Sequence, residues 1–125
     1  MKFRGKEVRV ILSKEAKQEY DALMDIVSKE QKEGVTNSFN QQLLRSIDAK
    51  KEYLKMNPLA GDHAQKPLPA SLVQKYDINN LWIIDLAGYW RMLYTLKTSE
   101  IEIISLVLDW MDHDKYNKIF GRKKK

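Results

Sequence analysis

Cysteine is absent from this 125-residue chain. That single absence excludes disulfide frameworks, thiolate zinc sites and thiol nucleophiles together, and it fits a reducing compartment. Histidine is nearly as scarce. Only His63 and His113 occur, and neither stands in a His-Glu-x-x-His spacing, so no metal site and no cofactor are expected. Long apolar runs are missing: stretches such as Leu81-Trp82-Ile83-Ile84 fall far short of the ~20 residues a bilayer requires. The first twelve residues interleave Lys2, Arg4, Lys6, Glu7 and Arg9 with apolar side chains and so lack the continuous core of a signal peptide. A cytoplasmic protein without a membrane partner is the expectation. There is no Gly-rich phosphate loop, no Gly-x-Ser-x-Gly elbow and no dinucleotide fingerprint, which argues against ATP-driven chemistry, nicotinamide redox chemistry and serine hydrolysis.

What is present suits one globular domain, residues 1–125, with a basic tail at 121–125. Hydrophobic residues make up 43% of the chain, enough for a core and too many for a disordered segment. The net charge of +5 is unevenly placed. Residues 115–125 carry Lys115, Lys118, Arg122, Lys123, Lys124 and Lys125 with no acid, and the first nine residues carry four bases and one acid. Between them lie 12 bases and 16 acids. Basic ends around a mildly acidic middle suit a polyanion partner, because each neutralised phosphate releases counterions; a solubilising tail is the plainer alternative.

Periodicity predicts an α+β fold. Glu7 to Leu12 alternates and is partly β-branched, which reads as a strand. Ser13 then caps a helix whose apolar positions are Ala16, Tyr20, Leu23, Met24 and Val27, and Gly34 stops it. A second helix starts at Ser38, with Gln41 at capping-box spacing, carries Phe39, Leu43, Leu44, Ile47 and Leu54 on one side, and ends before Pro58. All three prolines fall between Asn57 and Pro69, so that stretch is an ordered loop. Ala70 to Tyr76 makes a short helical turn. Leu81–Leu86, Trp90–Lys97 and Ile101–Asp109 then follow as strands joined by connections short enough to force antiparallel hairpins. With the first strand they make an antiparallel sheet of about four strands. The two-helix hairpin covers one face, the other face stays partly open, and a short C-terminal helix from Asp112 to Phe120 closes the chain.

Two constellations carry candidate chemistry. On the strand after Trp90, alternation sets Arg91, Leu93, Thr95 and Lys97 on one face and Trp90, Met92, Tyr94 and Leu96 on the other. Arg91 either pairs with Asp85 of the neighbouring strand or serves as a phosphate clamp, since its planar fork of donors matches phosphate oxygens. The second is Asp109-Trp-Met-Asp-His-Asp-Lys-Tyr116, where His113 and Tyr116 lie three apart on a helix. His113 exchanges protons near neutral pH; as a cap or surface residue it does nothing chemical. Trp82, Trp90, Tyr94 and Phe39 read as core, because helix and strand spacing already accounts for them.

The order strand, two helices, three antiparallel strands and terminal helix, with Leu-Trp-Ile-Ile-Asp-Leu-Ala-Gly-Tyr-Trp-Arg-Met-Leu-Tyr-Thr-Leu at 81–96, the apolar strand 101–110 and His113-Asp-Lys-Tyr116, resembles the RelE/ParE superfamily of type II toxins. The likeness spans about residues 7–120, and the His-x-x-Tyr ending is most similar to the RelE and HigB branches. That resemblance implies a ribosome-dependent mRNA endoribonuclease, independent of metal, in which a ribose 2′-hydroxyl attacks the adjacent phosphate. It implies Arg91 as the group that stabilises the phosphate, with His113 and Tyr116 supplying proton transfer or stacking. His63 of the Pro-rich loop is a second proton-transfer candidate. Lys97, Lys115, Lys118, Arg122, Lys123 and Lys124 would hold RNA. It also implies a cognate antitoxin, for which Ile119 and Phe120 are candidate contacts. The chain departs from the family pattern at Ile83 and Asp85, where RelE carries lysines, and at Trp110, near a position that is often arginine. The same resemblance leaves two other functions open: a ParE-like inhibitor of DNA gyrase, and a catalytically inert RNA- or ribosome-binding member of the fold.

Overall fold

The computed structural model describes residues 2–121. Strands β1 (Lys2–Phe3) and β2 (Lys6–Leu12) are followed by helices α1 (Lys14–Lys32) and α2 (Phe39–Met56), strand β3 (Asp62–His63), helix α3 (Ala70–Tyr76), strands β4 (Trp82–Asp85), β5 (Arg91–Thr98) and β6 (Glu102–Met111), and helix α4 (His113–Ile119). No helix among the described residues is long and apolar enough to cross a membrane.

The helix ends show why the chain turns where it does. Ser13 is extended and its hydroxyl accepts the Ala16 amide, satisfying one donor that the first turn leaves open. α1 closes with the amide of Val35 donating to the Glu30 carbonyl and that of Gly34 to Gln31, a geometry that needs the positive φ of +82° at Gly34. Ser38 caps α2 through the Gln41 amide. Gln41 does not complete a reciprocal box. Its buried side-chain amide instead donates to the Val35 carbonyl, 2.8 Å, and to Glu30, so it ties the interhelical turn to both helices.

The sheet corrects the four-stranded antiparallel expectation. It has six strands in the order β1-β2-β6-β5-β4-β3, and it is mixed, because β2 runs parallel to β6. Short turns fix the antiparallel sense of β4, β5 and β6, but β2 and β6 are joined by no turn, and the intervening helices let them align either way. The extra strands are two-residue edges. β1 folds back on β2 through Arg4 and Gly5, both at positive φ (51° and 79°), the conformation of a tight two-residue hairpin. β3 pairs Asp62 with Ile83 and His63 with Trp82.

Two apolar clusters flank this sheet. On one face Ala16, Leu23 and Val27 of α1 and Leu43, Ile47 and Leu54 of α2 pack on Ile84, Met92, Tyr94, Val107 and Trp110. The other face is covered in part: Leu72 of α3 and Tyr116 of α4 pack with Ile83, Leu93, Leu108 and Met111, and with Ile78 and Leu81. Leu93 and Thr95 are buried in consequence. The segment 57–61 is anchored by Tyr94, whose buried hydroxyl donates to the Pro58 carbonyl (2.9 Å) and accepts the Gly61 amide (3.0 Å). Gly61 is required there, since a Cβ would lie 2.7 Å from the Ile83 carbonyl oxygen and 2.8 Å from the Tyr94 hydroxyl.

Candidate functional site

On the face covered by α3 and α4, a cleft of about 430 Å³ opens between strands β3 to β5 and helix α4, lined by Asp62, His63, Ala64, Gln65, Ile83, Asp85, Arg91, Tyr116 and Phe120. Arg91 begins β5 directly opposite Asp85, the last residue of β4. Their side chains pair across the strands, Arg91 Nη1 to Asp85 Oδ1, at 2.5 Å. The two partners differ in exposure: 23% for the Arg91 side chain and 75% for that of Asp85, so the carboxylate sits on the solvent side of the guanidinium. The guanidinium carbon also lies 4.9 Å from the centroid of the Tyr116 ring. Its Nε is buried and has no hydrogen-bond partner among the described residues.

α4 sets the position of Tyr116. Asp112 caps this helix by accepting the Lys115 amide at 2.9 Å, and Tyr116 is buried with its ring against Phe120, centroids 4.5 Å apart. His113 starts the same helix, is exposed, and meets Asn117 through its Nε2 at 3.0 Å. It is outside the cleft lining. Three residues along a helix bring side chains near one another without giving them the same burial, and here Tyr116 turns in while His113 points out.

His63 reaches the cleft from the sheet edge, but its imidazole stacks on the Trp82 indole, centroids 4.4 Å apart with 4° between planes. Its register partner is Trp82, whereas Ile83, Asp85 and Arg91 belong to the opposite face. The cleft therefore brings together Arg91 and Tyr116 with neither imidazole pointed at them. Asp62, Gln65 and Phe120 complete it. No sequence signal marked Asp62 or Gln65, since both lie in the irregular stretch between helices.

The basic residues are spread more widely. Lys97 is six positions along β5 from Arg91, about 20 Å at the rise of a strand. Lys115 is exposed and lies 3.5 Å from the carboxylate of Asp109. Lys118 is exposed on α4. Arg122, Lys123 and Lys124 fall outside the described residues. Beneath α4 is a polar cluster that periodicity did not reveal. Partial burial and a hydrogen bond with the Asp109 carboxyl push the Glu19 carboxyl up to about 8, opposed by the cations of Lys115 and Lys75. Among the described residues no three His, Asp or Glu side chains converge as a metal-ligating group.

Comparison with solved structures gives a structural likeness. A YoeB/ParE toxin from Agrobacterium tumefaciens superposes with a TM-score of 0.53 at 16% identity, over 84% of this chain and 98% of that one. No family model matches the sequence. No curated protein matches it either. The chain thus shares the fold of that toxin.

Proposed function

We propose that this protein is the toxin of a toxin–antitoxin pair and that it cuts messenger RNA bound to the ribosome. One observation carries the reading: within a toxin-type fold, an arginine at the start of β5 is presented in a 430 Å³ cleft with its face held by an aromatic ring. A guanidinium so held has few rotamers left to lose and suits phosphate oxygens.

In this reading the ribose 2′-oxygen attacks the adjacent phosphorus, the bond to the 5′-oxygen breaks, and the proton lost by the 2′-hydroxyl is balanced by one given to the leaving oxygen. Arg91 offsets the negative charge gathering on the phosphate. Tyr116 orients Arg91 and offers its ring at the cleft wall. His113, exposed on the helix that carries Tyr116, is the proton-transfer candidate, acting on RNA at the cleft mouth. Lys115 and Lys118 lie on the same helix, and together with Arg122, Lys123 and Lys124, which come later in the sequence, they would hold the RNA backbone. The antitoxin is a protein partner covering the α4 end, where Ile119 and Phe120 are half-buried.

The test is in vitro translation with primer extension on ribosome-bound mRNA. Wild type is expected to cut within the A-site codon and Arg91→Ala to lose at least about 100-fold in rate, the usual cost of removing a transition-state charge donor. Cleavage unchanged in His113→Ala would remove that residue from the mechanism. The second reading, inhibition of DNA gyrase by binding without catalysis, is favoured by the two carboxylates, Asp62 and Asp85, in the same cleft as Arg91. Intact mRNA together with blocked DNA supercoiling would select it.

A further inference from the structure

The donors of Arg91 are unequally available. Nε is buried without a partner among the described residues, Tyr116 covers one face of the guanidinium, and Nη1 is taken by Asp85. The group that takes it is itself 75% exposed, at the cleft boundary, and reaches Arg91 only because the last register pair of the β4–β5 hairpin sets the two side by side. A carboxylate oxygen accepting from a guanidinium has the same donor–acceptor geometry as a phosphate oxygen. We propose that Asp85 is an internal competitor for Arg91, occupying in the free protein the place that a phosphate oxygen takes when RNA binds. It rests on the RNA-cleaving reading of the cleft and adds to it that the site is masked until an anion displaces the carboxylate.

Displacement is feasible because the pair is largely open to water on the Asp85 side, where ion pairs are weak. The mask therefore lowers affinity modestly and does not seal the site. It also discriminates. A polyanion, pulled in by the bases of α4 and the tail, supplies enough attraction to move Asp85, whereas an isolated monoanion gains little over the carboxylate it replaces.

The experiment is a double-mutant cycle in the full chain. The probe is a ten-nucleotide 2′-O-methyl RNA, which binds but cannot be cut, and its affinity is read by fluorescence anisotropy for wild type, Asp85→Asn, Arg91→Ala and the double variant. Asp85→Asn is expected to bind about three- to fivefold more tightly, and the gain is expected to vanish in the Arg91→Ala background. A gain of equal size in both backgrounds would mean general charge repulsion and would overturn the proposal, as would no gain at all. An independent readout is the rate at which phenylglyoxal modifies Arg91, followed by peptide mass mapping, with faster modification expected in Asp85→Asn. Masking seen by phenylglyoxal without any Arg91-dependent RNA binding would sink the RNA reading and the competition with it. An unchanged modification rate beside intact, Arg91-dependent RNA binding would sink the mask alone.

Discussion

The two faces of the sheet are built to different standards. Under the α1–α2 hairpin, long helices with capped ends bury an apolar set in which Ala16, Ile47 and Leu54 are wholly inaccessible. The opposite face is covered by two seven-residue helices and a loop, and it keeps a cleft, a cross-strand ion pair and a buried Nε without a partner. A buried donor left unpaired costs stability. Such a cost is tolerated where the rest of the molecule over-determines the fold, and it tends to collect where chemistry or binding occurs. In this protein the hairpin face supplies the stability and the cleft face spends part of it.

Substitutions on each face can break or sharpen that contrast. The largest loss is expected from Ile47→Ala, about 3 kcal/mol by urea denaturation, because a fully buried isoleucine is replaced by a cavity. Arg91→Ala, by contrast, is expected to change the same measurement by under about 1 kcal/mol, since the ion pair it removes is open to water. Equal losses from the two would erase the distinction between the faces. Tyr94→Phe tests the anchoring of the 57–61 segment: it keeps the ring in the hairpin-face core and deletes both hydrogen bonds to that segment. A loss of about 1–2 kcal/mol is expected, with faster amide exchange at Gly61.

The last contrast concerns pH. The Glu19 carboxyl is held at about 8 in the folded chain, while in the unfolded chain it titrates near 4.5. Between these values the folded state keeps a proton that the unfolded state has released, so stability falls as pH rises from about 4.5 to 8 and levels off above that. Glu19→Gln should flatten this part of the profile and melt higher than wild type at pH 8.5. An unchanged slope would remove the Glu19–Asp109 contact as its cause.

Legibility followed the range of the interactions. Ser13, Gly34, Ser38 and the short turns after Leu86 and Lys97 act within a few residues, and the helices and hairpin strands stand within a residue or two of where the pattern sets them. The parallel pairing of β2 with β6 and the cover over Leu93 and Thr95 depend on segments brought together from far apart in the chain, and alternation along one strand cannot report them. The site divides in the same way. Arg91 and Tyr116 stood out as chemically capable residues in a patterned context. Their contact, the placing of His113 outside the cleft lining, the stacking of His63 on Trp82, and the part of Asp62 and Gln65 required three-dimensional proximity. The pairing of Arg91 with Asp85 was one of two partners open to that arginine, and the structure has it made.

By itself the sequence determined an α+β chain with two capped helices, a terminal set of hairpin strands and basic ends, because caps, glycine turns and apolar periods are local consequences of backbone sterics and hydrogen bonding. The tertiary structure alone decided which residues share a cleft. Side-chain chemistry can nominate a guanidinium, but burial, stacking and the carboxylate opposite it come from strand register and helix docking, which bring β3, β4, β5 and α4 to one place.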